Sequence, residues 1–282
     1  MSLKALLIID PQNSFIDTPH NPGSLAVPGA YQDMLRLAQR VKMAPKDYDD
    51  IFVTMDTHKL HDIAHPDWWC DPQGLPPPPF TLISVAEVEN GTWRARKEEE
   101  QDWSLSYVKS LEAANKYKLC IWPPHCLDGT EGWQVNTELK NALNFWEEET
   151  GNLVIYVKKG ENPHTEHYSG FKAEVIISDA PETAFNEALA KKLLSYKTVE
   201  VAGEALSHCV ASSVDDLMEH KQQTTSITNI ILLANCMTSV PGFEAQGAAF
   251  LNRAAEQGAI LEHAQPIHLK NTSARSLIYG NK

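Results

Sequence analysis

The feature that most constrains this chain is a series of short, nearly unbroken apolar runs, each followed by a stretch with helical spacing. KALLIID (4–10), DIFVTMD (50–56), NLVIYVKKG (152–160), TVEVAGE (198–204), NIILLAN (229–235) and a last run near AILEHA read as strands. Runs apolar at every position are what a sheet covered on both faces requires. Between them, AYQDMLRLAQRVKM (30–43), TELKNALNFWEEE (137–149), ETAFNEALAKKLLSY (182–196), the segment after Cys209 and GFEAQGAAFLNRAAEQ (242–257) read as helices. Strands alternating with helices predict an α/β fold: a three-layer α/β/α sandwich around a mainly parallel, roughly six-stranded sheet. In such a sheet the chemistry gathers at the carboxyl ends of the strands. Asp10, Asp56, His58, Lys159 and Cys209 all fall there.

One region breaks the rhythm. Between residues 66 and 121 come a Trp pair (Trp68, Trp69), four prolines (76–79) and the charged RARKEEEQD (94–102), before WSLSYVKSLEAANKY (103–117) turns helical. Four consecutive prolines fit neither helix nor central strand and predict an extended spacer. The region reads as an insertion near the mouth of the site, within a single domain spanning 1–282.

The formal net charge of -13 argues against nucleic acid and anionic membranes as partners. No apolar run is long enough to span a bilayer. Five cysteines, an odd number without a CxxC pair or a leading secretion signal, predict free thiols and a cytoplasmic protein.

Four stretches carry residues suited to chemistry. In MDTHKLHDIAH, Asp56 and His58 are two apart at a strand end, where a period of two turns both to one face. Such a pair can ligate Zn²⁺, Mn²⁺ or Fe²⁺. The stretch is equally compatible with a polar strand end carrying solvent-exposed histidines. In IWPPHC, two prolines stiffen the loop between Trp122 and His125. His125 could complete an Asp-His-His site, while Trp122 offers a wall to a flat ligand; Cys126 reads as a packed thiol. Lys159 closes a strand before Gly160 and could stabilise developing negative charge, or could be a surface lysine, with Lys158 on the opposite side. In GEALSHCV, Cys209 follows a strand at a helix start, where backbone N–H groups favour a thiolate. His208 beside it should point elsewhere.

Taken in order, IIDPQNSF, DTH with WPPHC, KG…YSGF and GEALSHCV resemble the nicotinamidases of the isochorismatase-like cysteine hydrolase superfamily, over about residues 4 to 240 apart from the insertion. The resemblance implies a catalytic trio of Asp10 (base), Lys159 and Cys209 (nucleophile). It also implies an oxyanion hole from the N–H groups of Ala205 and Cys209, and a cis peptide at Glu204–Ala205. It implies one divalent metal ion, with Zn ahead of Fe or Mn, on Asp56, His58 and His125. His65 would be the fourth ligand, with His61 as the alternative. Phe15 and Trp122 would sandwich the substrate ring, and Tyr168 would line its pocket. Ala205-Leu206-Ser207 departs from the family's Ala-Thr-Asp, and QNSF from the commoner QNDF.

The expected activity is a metal-dependent amidohydrolase that converts nicotinamide to nicotinate and ammonia through a thioester. The alternatives are a related hydrolase of another small amide or carbamoyl compound, and a catalytically idle binding scaffold. A small-molecule amide is the expected partner, and the family's habit points to a homo-oligomer.

Overall fold

The computed structural model describes residues 3–18, 20–114 and 118–264. In chain order the strands are β1 (Lys4–Ile9), β2 (Asp50–Asp56), β3 (Trp69–Cys70), β4 (Leu82–Ile83), β5 (Arg94–Ala95), β6 (Leu119–Cys120), β7 (Ile155–Lys159), β8 (Thr198–Gly203), β9 (Asn229–Leu233) and β10 (Ile260–Glu262). The helices are α1 (Ala30–Met43), α2 (Val85–Glu89), α3 (Gln101–Ala113), α4 (Thr137–Thr150), α5 (Glu187–Leu193), α6 (Ala211–Gln223) and α7 (Glu244–Glu256). Six strands form the main sheet in the order β10-β9-β8-β1-β2-β7, all parallel. This is the predicted α/β sandwich.

β1 sits at the centre, and Ala5 to Ile9 are buried on both faces. That is the physical reason for its unbroken apolar run. α1 turns Met34, Leu37, Ala38 and Val41 inward, and α4 turns Leu139, Ala142, Leu143 and Trp146 inward. The register decides what meets at the carboxyl edge. Ile9 pairs with Gly203 and Asp56 with Lys159, so Asp10, Glu204 and the Asp56–Lys159 pair emerge side by side.

Two expected helices end elsewhere. The stretch 182–196 gives a short 3-10 turn at Pro181–Thr183 and then only α5, because the Asn186 side chain caps the Leu189 N–H and starts the helix late. The helix expected over 103–117 begins earlier, at Gln101, and runs to Ala113; residues 115–117 lie outside the described residues.

The segment 66–121 carries two small antiparallel pairs, β3 with β5 and β4 with β6. It holds Trp68, Trp69 and Tyr107 fully buried. It also holds the main-chain segment that follows β7. The Trp103 indole donates to the His164 carbonyl (2.8 Å), and the Glu166 N–H donates to the Tyr107 hydroxyl (3.0 Å).

Candidate active site

Lys159, last in β7, is buried, and its ammonium gathers the neighbouring strand ends. It lies 3.0 Å from Asp10 Oδ2 and 2.9 Å from Asp56 Oδ1, donates to the His167 carbonyl at 2.7 Å, and reaches Cys209 Sγ at 3.7 Å. Lys158 points the other way, as the strand period requires, and is exposed. Thr54, two residues before Asp56, holds Asp10 in place: its hydroxyl donates to Asp10 Oδ1 (2.5 Å) and accepts the Asp10 N–H (3.0 Å).

Burial raises the Asp10 carboxyl above its ordinary range, against the pull of Lys159. Burial also raises the Cys209 thiol well above normal, with Lys159 opposing and Asp10 and Asp56 adding to the rise. The resting pair is therefore a protonated thiol beside a carboxylate of increased basicity. That arrangement suits proton transfer from sulfur to Asp10. Lys159 is held well above the usual lysine range by Asp10 and Asp56, which outweigh its burial.

Cys209 does not begin an ordinary helix. It sits in a wide π-helical turn, Leu206–Val210, that leads into α6. The turn follows a cis peptide at Glu204–Ala205. The Ala205 carbonyl accepts the His208 and Val210 N–H groups, while the Ala205 N–H has no acceptor among the described residues. Gly203 is required just before: it has φ +120°, and a Cβ there would stand 2.0 Å from the Ile9 carbonyl oxygen.

Beside this trio, His58, His65 and His125 turn ring nitrogens toward one another, with these atoms within 4.8 Å, and all three are buried. Asp56 joins them through its second oxygen. Oδ2 is 3.0 Å from His58 Nε2 and 3.3 Å from His125 Nε2. β2 itself ends at Asp56; a bridge from His58 to Leu127 is what carries the histidine back to the carboxylate. The outward nitrogens of His58 and His65 have partners of their own, His58 Nδ1 on Asp62 (3.0 Å) and His65 Nδ1 on the Lys59 carbonyl (3.0 Å), while His125 Nδ1 lies 3.0 Å from the Pro123 carbonyl and 3.2 Å from His65 Nε2.

Burial pushes His65 down to about 2 and also lowers His125, so both rings are neutral. Burial would lower His58 too, but Asp56 and Asp62 hold it well above the usual range. The neutral His65 and His125 rings, the Asp56 carboxylate and His58, once it gives up its proton, converge in a buried site as a donor set that fits a divalent cation. His61 is not among them. It bridges Asp67 and Glu100, 2.9 Å from each, and stacks on Trp68.

A small cavity opens beside both clusters, lined by Phe15, Trp122, Tyr168, Ala205, His208 and Cys209 together with Asp56, His125 and Glu166. The Trp122 indole donates to the Tyr168 hydroxyl at 3.1 Å. His208, expected to be no partner of Cys209, forms part of the wall. The wide turn brings it back beside Cys209, edge-on to Trp122 and packed on Phe243.

Sequence reasoning missed several supporting residues. Gln12 clamps Asp56 by both main-chain groups, donating to its carbonyl (2.8 Å) and accepting its N–H (2.7 Å). Asp62 orients His58 and stands four residues after it, a spacing that could have pointed to it. Glu166, buried and pushed up to about 7 by burial, faces the cavity 3.8 Å from His58.

No protein-family model matches the chain, and no curated protein matches it in sequence. Solved structures do match. The yeast nicotinamidase superposes with a TM-score of 0.64 at 17% identity, over 93% of this chain and 100% of that one. A nicotinamidase/pyrazinamidase from Acinetobacter baumanii gives 0.61 at 18%, over 94% and 97%. The pyrazinamidase of Pyrococcus horikoshii, solved in complex with zinc, gives 0.53 at 17%, over 92% and 98%. At such identities the shared property is the path of the backbone: the chain has the α/β fold of the nicotinamidases and isochorismatase-like hydrolases.

Proposed function

We propose that the protein is a cysteine amidohydrolase that converts nicotinamide to nicotinate and ammonia. The observation that carries this reading is the convergence of Asp10 and Lys159 on Cys209, which lines a cavity together with Asp56 and His125, the latter clustered with His58 and His65. Asp10 takes the Cys209 proton, and the sulfur attacks the carboxamide carbon. The N–H groups of Ala205 and Cys209 receive the oxyanion. Asp10 returns the proton to the leaving nitrogen, ammonia departs and a thioester remains. Asp10 then takes a proton from water, which attacks the thioester and frees the acid and the thiol. Lys159 stays charged throughout and steadies Asp10 and the thiolate.

Asp56, His58, His65 and His125 would hold the divalent ion, with zinc the first choice. When bound it supplies a Lewis-acid anchor for the ring nitrogen. Phe15 and Trp122 enclose the ring, and Tyr168 holds the Trp122 indole in place. The 66–121 insertion serves the cavity mouth. Its Phe80 meets the Trp122 ring edge-on at 5.9 Å.

A second reading is hydrolysis of another small amide whose ring carries a hydrogen-bond donor. Glu166 favours it, because its Oε2 is buried without a partner in a residue that faces the cavity. Ammonia release from nicotinamide and from amino-substituted aromatic amides, by wild type and Cys209→Ala, with metal content measured in parallel, tests both. Activity of the wild type on nicotinamide and none in Cys209→Ala is the expected result. A fully active Cys209→Ala would remove the mechanism. Turnover confined to the substituted amides would move the assignment to the second reading.

A further inference from the structure

Lys159 is the last residue of an edge strand, with β2 its only ladder partner among the described residues. The sheet therefore stops where the ammonium must be placed most accurately. Gly160, next in the chain, turns away in the left-handed region (φ +77°), and a Cβ there would stand 3.0 Å from Asp56 Oδ1. Its buried N–H has left the ladder and needs an acceptor. His167 supplies it: the Gly160 N–H donates to His167 Nδ1 at 2.9 Å, and the His167 carbonyl accepts the Lys159 ammonium at 2.7 Å.

One residue therefore holds both halves of the Lys159–Gly160 turn, through its ring and through its main chain. Because Nδ1 accepts, Nε2 carries the ring proton. Among the described residues that buried nitrogen has no hydrogen-bond partner, and its ring borders a second cavity with Thr165, Asn162 and Glu182. The chain around it alternates: Glu166 and Tyr168 border the substrate cavity, Thr165 and His167 the second one.

We infer that His167 is a positioning residue for the reaction: its ring latches the turn after β7 so that Lys159 stays in register with Asp10 and Cys209. It touches no reacting atom. Burial, then the nearby Lys159 charge, pushes the ring down to about 3, so it remains a neutral acceptor across the working pH range. The inference rests on the proposed catalytic role of Lys159.

The test compares His167→Phe, which removes the acceptor, with His167→Asn, whose amide oxygen can stand where Nδ1 stood. His167→Ala is a second acceptor-free variant in case the larger ring does not fold. Two readouts are taken: turnover of nicotinamide, and the pH dependence of Cys209 alkylation by iodoacetamide, followed by peptide mass mapping. A loose Lys159 supports the thiolate less. His167→Phe and His167→Ala should therefore lose about tenfold or more in kcat with a smaller change in KM, and their alkylation half-point should move up. His167→Asn should stay within about threefold of wild type, with its alkylation profile in place.

An unchanged kcat and alkylation profile in the acceptor-free variants would overturn the latch. So would a His167→Asn protein as impaired as they are. If the wild type released no ammonia from nicotinamide, the substrate reading would fall, while the alkylation profiles would still decide the latch.

Discussion

The Lys159 ammonium stands 3.0 Å from the Asp10 carboxylate, and both groups are buried. A cation there is balanced against two anions, since Asp56 lies 2.9 Å away. Removing it leaves carboxylates in a dry site with no counter-charge. Lys159→Met should therefore destabilise the protein by about 3–5 kcal/mol, as loss of one partner from a buried pair does. Adding Asp10→Asn removes one of the stranded charges and should recover part of that loss. Chemical denaturation of the two single variants and the double variant measures the coupling. Additive losses would mean the pair is not the unit the geometry describes.

Asp62 accepts from the outer nitrogen of His58, and that bond fixes which nitrogen faces Asp56. Asp62→Ala should weaken divalent-metal binding by about 10–100-fold. Titration calorimetry with Zn²⁺ on the chelator-stripped protein reads this directly. An affinity equal to that of wild type would show that the imidazole is held by packing alone.

His208 is pushed down to about 4 by burial against an ordinary value of 6.5, so the ring folds neutral. Between those two pH values the unfolded chain binds a proton that the folded chain refuses. Its contribution to stability is therefore complete above about pH 6.5 and is lost as the pH falls toward about 4. The whole loss amounts to at most ~3 kcal/mol. His208→Phe keeps a ring against Trp122 and Phe243 and removes the titration. Its stability relative to wild type should rise as the medium is acidified from pH 7 to 4.5. A difference independent of pH would place the acid sensitivity elsewhere.

The sheet was legible because its central strands β1, β2 and β8 are buried on both faces and therefore carry few polar positions, although the edge strands β7 and β10 are largely exposed. Asp50–Asp56 and Ala30–Met43 fall at the predicted bounds. The convergence of candidate site residues was legible where a strand end fixes the side chain, as for Asp10, Asp56 and Lys159. It was obscure where the main chain leaves regular geometry. His208 was expected to be no partner of Cys209 and packs on Trp122 and Phe243, but the π-helical turn that carries both residues follows no spacing that a sequence pattern shows. Gln12, Thr54, Asp62 and His167 escaped notice for another reason. Their partners are main-chain groups or the far sides of other functional residues, and no local motif encodes such contacts.

Asp56 divides its two oxygens, Oδ1 to Lys159 and Oδ2 to His58 and His125. A cation among the imidazoles would draw on the same carboxylate that anchors the lysine. The charge felt at Cys209 and the occupancy of the histidine cluster are thus one electrostatic variable. If the cluster holds a cation as proposed, a chelator that strips it would be felt at the Cys209 sulfur with Asp10 and Lys159 intact. A small molecule that binds the cluster would retune the Cys209 thiol without touching it.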